Sequence, residues 1–363
     1  MKKHLFSLGL TLLSAATAFA LPSLLQTKDF KASSISNLDF NMSWENLEVK
    51  EQTSGSNITI EIYCNKKKYI PEVKQSGSTL LIDSIPMERF FFPMESKQCT
   101  VMVYLPAGKK FDRTSIRLSS GELTVKDNLY SEGIVLQTSS GSLKTENLTG
   151  SDVELIASSG SIKAKEISAS KASVQASSGS ISISAVQAQS FTAKTSSGSI
   201  KTDSLRANDA DLSASSGSLR LKDVTVQKIE LSTSSGGITV DGLLSNRFSV
   251  TSSSGTIGLE LNGAPTKNSS INATSGTVFV SLPNDASATV SASTTSGGFV
   301  NTFIGEKIES HANCTQKING GGATISISTT SGSITVDKGI SRSKSSERYE
   351  DDVPVVNIDR PIF

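Results

Sequence analysis

The sequence predicts an all-β protein: a single-stranded parallel β-helix, or β-solenoid, with coils of about 19 residues and an irregular β N-terminal cap. A short signature, Ser-Ser-Gly or Thr-Ser-Gly followed by a usually small and then an apolar residue, returns through most of the 363 residues. Apolar residues also return at fixed offsets from each signature glycine. No segment keeps a period of 3.6 residues, which argues against a helical repeat.

The glycines of the signature set the period of the repeat. They are Gly121, Gly141, Gly160, Gly179, Gly198, Gly217, Gly236, Gly255, Gly276, Gly297 and Gly332. Their spacings are 20 once, 19 six times, 21 twice and finally 35. We interpret each one as a structural turn, because glycine reaches positive φ at a tight corner at little steric cost. The alternative is a flat Ser/Thr face that binds ice or sugar, but the Thr-x-Thr ladder typical of ice binding is not kept.

Each coil shows the alternation of a strand with one buried face. In the coil after the sixth signature glycine, apolar residues stand 2, 4, 7, 12 and 14 residues on, at Leu219, Leu221, Val224, Ile229 and Leu231. Steps of two indicate strand, and the longer jumps indicate corners. Each unit is therefore expected to form about three short strands around a triangular coil. Roughly ten coils, stacked about 4.8 Å apart, would make a rod about 50 Å long.

The N-terminal segment from Met1 to Ala20 has the features of a secretory signal peptide. Lys2 and Lys3 precede an apolar run from Leu5 to Leu13, and Ala18-Phe19-Ala20 offers a small-x-small cleavage site. That run is too short to span a bilayer, and no later stretch is long and apolar enough to be transmembrane. The chain is expected to be exported, to the periplasm, the cell surface or the medium. Its net charge of +1 argues against a nucleic-acid partner.

The rest of the chain divides into three predicted parts. Residues 21–110, which hold the only tryptophan, form the irregular β cap; residues 111–338 form the solenoid repeats; residues 339–363 form a polar linker and C-terminal tail. A solenoid needs a cap because its first coil would otherwise expose an unpaired edge. Within the cap, Phe90-Phe91-Phe92 is interpreted as a plug over the open core, or else as an exposed patch for a partner or a membrane surface.

The sequence allows two interpretations of the first two cysteines, a disulfide or two free thiols. Cys64 and Cys99 lie in strand-like segments, where an exported protein would form a disulfide, but two unpaired buried thiols fit equally well. Cys314 is left over. Three cysteines are too few for a disulfide scaffold.

Catalytic chemistry has little support in the sequence. The predicted mature chain has one histidine, His311, without a nucleophile motif around it, and no close His/Cys spacing that would bind zinc. The densest acidic group, Asp203, Asp209, Asp211 and Asp223, is interleaved with basic residues instead of forming an isolated carboxylate pair. The sequence therefore predicts no enzyme, no cofactor, and no catalytic or metal site; a polysaccharide-cleaving enzyme is the minor alternative.

Basic residues recur three and five positions after the signature glycines. They are Lys126, Lys144, Lys163, Lys165, Lys201, Arg220 and Lys222. In the coil they would point outward on one face and form a basic stripe, which predicts weak binding of an anionic glycan. Acidic residues on the same face offer the other interpretation, a solvated and ion-paired surface.

Several motifs together resemble the bacterial putative-adhesin domain family, a domain of unknown function with β-helical repeats. They are the Ser-Gly-Ser-Ile coils, the strand Val101-x-Val-x-Leu-Pro106, its later copy Val278-x-Val-x-Leu-Pro283, and the Gly-rich turn before Thr330-Ser-Gly-Ser-Ile334. The resemblance covers roughly residues 40–338. It implies a β-helical fold and offers no catalytic residues to carry over.

The function expected from all these features is that of an exported, non-enzymatic β-solenoid, a structural or adhesive interaction protein of the bacterial cell envelope. Its partner would be a glycan or an envelope or surface protein. The main alternative is a binding module for anionic glycans that uses the basic stripe. The ligand, the face that binds it and the oligomeric state are left open.

Overall fold

The computed structural model describes residues 22–85, 98–303, 306–309 and 313–339, with only the backbone described for 306–309. The predicted signal peptide, Phe90-Phe91-Phe92, His311 and the C-terminal tail after residue 339 lie outside the described residues. Those residues form 24 strands and two short 3-10 turns, Ala32–Ser34 and Lys67–Tyr69. In the described part of the chain, no helix has the length and apolar character needed to cross a membrane.

The strands fall into an N-terminal group, a regular middle and a C-terminal group. The N-terminal strands are β1 (Leu24–Lys31), β2 (Asn37–Met42), β3 (Asn46–Gln52), β4 (Asn57–Cys64), β5 (Glu72–Ser76), β6 (Thr79–Asp83), β7 (Cys99–Pro106) and β8 (Lys110–Leu118). The regular strands are β9 (Leu123–Thr138), β10 (Leu143–Ala157), β11 (Ile162–Ala176), β12 (Ile181–Thr195), β13 (Ile200–Ala214), β14 (Leu219–Thr233) and β15 (Ile238–Ser252). The C-terminal strands are β16 (Ile257–Leu261), β17 (Ser269–Ser275), β18 (Val278–Leu282), β19 (Ala288–Ser296), β20 (Gly298–Asn301), β21 (Glu306–Glu309), β22 (Asn313–Ile318), β23 (Thr324–Ser331) and β24 (Ile334–Lys338).

The seven regular strands confirm the predicted β-solenoid. Each pairs in parallel with the next, and from β10 to β15 the partner lies one period further along the chain, as in Leu143 with Ile162. In β14 every second side chain is buried, except at two points where consecutive residues face outward, at 222–223 and 227–228. With the Ser-Ser-Gly bend between strands, these points make three corners per coil.

Two buried columns of the coil were not predicted. Nine residues after the signature glycine stand Ala169, Ala188 and Ala207, and sixteen residues after it stand residues such as Ala176 and Thr195, all of them buried. Most of these positions hold small or hydroxylated residues, although Val226 stands in the first column and is also buried.

The signature glycines occupy the third corner for a different reason from the one predicted. Only Gly297 and Gly332 have positive φ, at 153° and 158°. The explanation by positive φ therefore does not hold for the other nine. What excludes a side chain is the coil before: a Cβ at Gly217 would lie 1.7 Å from the carbonyl oxygen of Gly198, and the same close approach repeats along the column. Glycine lets the corners of successive coils stack in contact.

At each end of the rod, the first or last coil in the sequence is not the outermost coil in space. It lies one position further in, between two other coils. The coil of β2 and β3 lies between the coil of β6 and β7 and that of β8 and β9. The coil of β23 and β24 likewise lies between that of β17 and β18 and that of β19 and β20. Antiparallel strands continue the sheet outside the outermost coils: β4 on β7, β5 on β6, β22 on β19 and β21 on β20. Part of the region predicted as an irregular cap is thus a coil of the stack itself.

The inserted N-terminal coil turns its corner without the glycine signature. Its corner residue is Glu45, whose side chain is buried. The Glu45 carboxylate accepts hydrogen bonds from the backbone N–H groups of Ser43 and Trp44, at 3.1 and 3.0 Å, and from the Ser84 hydroxyl at 2.6 Å. These three hydrogen bonds offset the cost of burying the Glu45 carboxylate at this end of the column.

Candidate functional site

The outward residues of each coil's first segment form one continuous surface, which we call the charged face. Thirteen parallel strands contribute to it in the spatial order β7, β3, β9 to β16, β18, β24 and β20. Side chains alternate across a strand, so the residues three and five positions after each signature glycine both point outward. Parallel register then aligns them into two columns along the rod.

The seven predicted basic residues all lie in these two columns. Lys144 pairs in register with Lys163, and Lys201 with Arg220. Such neighbours repel each other unless carboxylates compensate for their charge.

Four of the seven are in ion pairs on the same face. Lys126 pairs with Glu48 at 2.8 Å, Lys165 with Glu146 at 3.0 Å, Lys201 with Asp203 at 3.0 Å, and Lys144 with Glu122. The four lysine side chains are about half exposed, so each pair contributes little to stability, but each reduces the local positive charge.

The remaining three, Lys163, Arg220 and Lys222, form no salt bridge with any described residue. Lys163 lies two coils away from Lys201, with Ser182 between them in the column. Arg220 and Lys222 lie together on β14. Among these seven residues, positive charge without a salt bridge to a described residue is therefore confined to two places instead of running as a continuous stripe.

A tyrosine pair lies at the N-terminal end of the charged face. Tyr63 and Tyr104 both donate hydrogen bonds to one oxygen of Glu61, at 2.7 and 2.8 Å. The hydrogen bond to Glu61 is the largest cause that raises the pKa of Tyr63 to about 12. For Tyr104, desolvation comes first and the same hydrogen bond second, and its pKa is also raised to about 12. The ammonium of Lys50 lies 4.6 Å from the centre of the Tyr104 ring.

A groove lies near the other end of the charged face, and we call it the Phe279 groove. One column there runs through Thr239, Gly258, Phe279 and Thr335 in register. Phe279 is 49% exposed, and nothing lies within 4 Å of the place where a Cβ on Gly258 would stand. The resulting depression has a volume of about 360 Å³.

Carboxylates line the second column of the Phe279 groove. They are those of Asp241, Glu260 and Asp337. The groove was not predicted, although the sequence carries a signal for it: a phenylalanine at an outward offset beside a glycine at the same offset of the preceding coil.

A second, smaller depression of about 120 Å³ lies on another side of the coils. It includes Asp209 and Asp211 from the acidic group singled out in the sequence, together with Lys228 and Glu230. Lys228 and Glu230 are 2.8 Å apart, and their hydrogen bond lowers the pKa of Glu230 and raises that of Lys228. Asp203 lies on the charged face, so the acidic group is divided between two surfaces. Among the described residues, no three His, Cys, Asp or Glu side chains are placed to hold a metal ion.

The structure joins Cys64 and Cys99 in a disulfide between the paired strands β4 and β7, with their Cα atoms 4.1 Å apart. Both residues are buried, on the opposite side of these strands from the Glu61 cluster. The bridge thus fastens the outer antiparallel strand to the outermost coil.

Solved structures that match most of this chain include three from Bacteroides fragilis and Parabacteroides distasonis. A putative adhesin from Bacteroides fragilis is 13% identical, with 86% of this chain and 96% of that chain covered and a TM-score of 0.35. A putative adhesin from Parabacteroides distasonis is 12% identical, with 88% and 98% covered and a TM-score of 0.42. A putative lipid binding protein from Parabacteroides distasonis is 14% identical, with 87% and 96% covered and a TM-score of 0.35.

No curated protein matches the sequence. The model of one protein family, described as Toastrack DUF4097, matches it twice, over residues 35–203 and 170–337. The two matches together span the whole stack of coils and both inserted end coils. The chain therefore belongs to the Toastrack DUF4097 family.

Proposed function

We propose that this protein is an exported, non-enzymatic β-solenoid that acts as a structural or adhesive interaction protein of the bacterial cell envelope. The observation that carries the proposal is the charged face. Thirteen strands about 4.8 Å apart make it roughly 60 Å long, and its side chains are held in fixed columns. A rigid surface of this length suits contact with an extended partner better than conversion of a small substrate.

The proposal of export rests on the predicted signal peptide of residues 1–20. Its most direct test is to locate the protein in cells. Intact cells are treated with protease, and the protein is detected by antibody before and after lysis. Cleavage in intact cells supports a surface interaction protein. Protection in intact cells, followed by cleavage after lysis, contradicts the adhesive version and leaves a structural role within the envelope. Detection of the protein only in the cytoplasm contradicts both.

Binding of an anionic glycan is the second candidate function. It is favoured by Lys163, Arg220 and Lys222, because these basic residues of the charged face form no salt bridge with any described residue. Charge reversal of Lys163, Arg220 and Lys222 is expected to lower the salt concentration at which the protein leaves an anionic polysaccharide matrix. The matched control is charge reversal of Lys171, Lys194 and Lys228, which lie on another side of the coils and remove the same charge. Equal retention of the two triple variants would contradict a specific basic site.

A further inference from the structure

We infer that the Phe279 groove is a binding site for a saccharide that is neutral or carries amino groups. The inference deepens the proposed function, on which it rests, by naming a site and a partner class for the interaction protein. The groove contains none of the seven basic residues of the charged face. Its carboxylates would disfavour an anionic glycan, which is the ligand that those basic residues would bind.

Phe279 is the first reason. Strand alternation puts its neighbours Val278 and Val280 in the core and turns Phe279 outward. Other phenylalanines of the stack, such as Phe248 and Phe299, are almost fully buried. A phenyl group at this exposed position contributes little core stability, but it offers an apolar surface for a ligand.

Gly258 is the second reason, because it leaves room beside that ring. Phe279 and Thr239 flank it from the two adjacent strands. These two side chains therefore stand two strand spacings, or about 9.6 Å, apart. The open space reaches about 360 Å³. Ligand pockets are commonly about 300–1,000 Å³, so this volume matches one or two sugar rings better than a large ligand.

The carboxylates are the third reason, and they decide the chemistry. Asp241 and Glu260 follow Thr239 and Gly258 by two residues on the same outward side, and Asp337 follows Thr335 in the same way. A carboxylate only accepts hydrogen bonds, and sugar hydroxyl groups and ammonium groups donate them. Asp337 is held in place by hydrogen bonds from the Thr302 hydroxyl and the Lys338 backbone N–H, the second at 2.8 Å.

A saccharide fits this combination of surfaces better than other ligands. One side of a pyranose ring presents C–H groups that pack on an aromatic ring, while its edge presents hydroxyl donors. An acyl chain would need an enclosed apolar cavity, and this groove is open and rimmed by charge.

The charges around the groove favour a neutral or amino sugar over an acidic one. Arg220 and Lys222 lie on the strand before the groove, in register with Thr239 and Asp241, and neither side chain lines it. Among the described residues that line the groove, the charged groups are carboxylates, and Asp241 and Asp337 would place like charge closer to a uronic acid than the two cations.

Titration calorimetry on the full-length chain tests the site. The probes are oligomers of glucosamine, glucose and glucuronic acid, with a lysine-rich peptide as the competing ligand class. We expect glucosamine or glucose oligomers to bind and glucuronic acid oligomers to bind at least about tenfold more weakly. Phe279→Ala is expected to weaken binding by about tenfold or more, through loss of the aromatic contact.

Gly258→Thr is the second variant, because it fills the gap without removing any group. A threonine suits a strand, and its Cβ meets no atom there, so the melting temperature is expected not to fall. Gly133→Thr is the matched control, at another strand glycine with open space around it, remote from the groove. We expect Gly258→Thr to abolish binding and Gly133→Thr to preserve it.

Absence of binding to the neutral and amino sugars at millimolar concentration would overturn the inference. So would binding that survives both Phe279→Ala and Gly258→Thr, preferential binding of glucuronic acid oligomers, or binding of the peptide alone. The proposed function is tested separately by location in cells. A surface-exposed protein that binds none of the sugars would contradict the groove assignment and leave the proposed function standing.

Discussion

Replacement of one signature glycine should show how closely the coils depend on each other. In Gly217→Ala the new Cβ would lie 1.7 Å from the carbonyl oxygen of Gly198, whereas real Cβ atoms essentially never come within 3.0 Å of such an atom. The two backbone segments must therefore move apart by at least about 1.3 Å, which is nearly half the length of a backbone hydrogen bond. Both partners are backbone in adjacent strands, so no side-chain rotation relieves the clash.

The size of the effect follows from the hydrogen bonds at that corner. Three backbone hydrogen bonds join the two coils there: Ser215 N to Thr195 O at 3.1 Å, Ser216 N to Ser196 O at 2.9 Å and Ile200 N to Ser218 O at 3.0 Å. A displacement of this size would stretch them beyond hydrogen-bonding distance. At about 0.5–1.5 kcal/mol each, their loss would lower the free energy of unfolding by roughly 2–4 kcal/mol.

Urea unfolding of Gly217→Ala and Gly133→Ala measures this effect against a matched control. Gly133 also lies in a strand, but nothing lies within 4 Å of its Cβ position. Alanine there should raise stability by about 0.5–1 kcal/mol. The two variants should therefore differ by roughly 3–5 kcal/mol in unfolding free energy. If both variants unfold at the same urea concentration with the same slope, close stacking is not the reason for glycine at this corner.

Two more predictions concern the N-terminal end of the rod. Because the pKa values of Tyr63 and Tyr104 are raised from 10.0 to about 12 in the folded state, their contribution to stability is complete below pH 10 and is lost as the pH rises through 12. Glu61→Gln should lower both pKa values, measured by ultraviolet absorbance, and reduce the loss of stability above pH 10; unchanged titration would contradict the assigned hydrogen bonds. Replacement of Cys64 and Cys99 by serine should cost roughly 2–4 kcal/mol, because the disulfide closes a long loop of the unfolded chain. Denaturant unfolding with and without reductant measures this cost, and a wild-type protein insensitive to reductant would contradict it.

The regular coil could be predicted from the sequence because one local rule repeats there. Each coil buries residues at the same offsets, so positions such as Leu219 and Ile238 repeat the same environment and the period is visible in the chain itself. The reason for the glycine could not be predicted in this way. The contact between Gly217 and the Gly198 carbonyl is made between coils, and a positive φ explains a glycine equally well when only its own turn is considered.

The candidate surfaces were harder to predict because they depend on partners across strands. Lys201 and Lys163 look alike in the sequence, yet the structure pairs Lys201 with Asp203 and gives Lys163 no salt bridge with any described residue. The Phe279 groove needs Gly258 from one coil beside Phe279 from the next, and the spacing between those coils is wider than the regular period. An outward aromatic residue indicates a groove only when the strand register is known, because the register shows whether a glycine leaves space beside it.

The inserted end coils explain the one large break in the period, the wide gap between Gly297 and Gly332. After β20 the chain runs back through the antiparallel strands β21 and β22 and then enters the stack as β23 and β24, between coils that are already consecutive in sequence. In a simple solenoid the terminal coil has one neighbour and is the first to fray. Here each terminal coil has a neighbour on both sides, so it cannot separate without breaking two sets of strand pairs. The same insertion places Thr335 and Asp337 beside Phe279, so the contact that secures the end of the rod also completes one wall of the Phe279 groove.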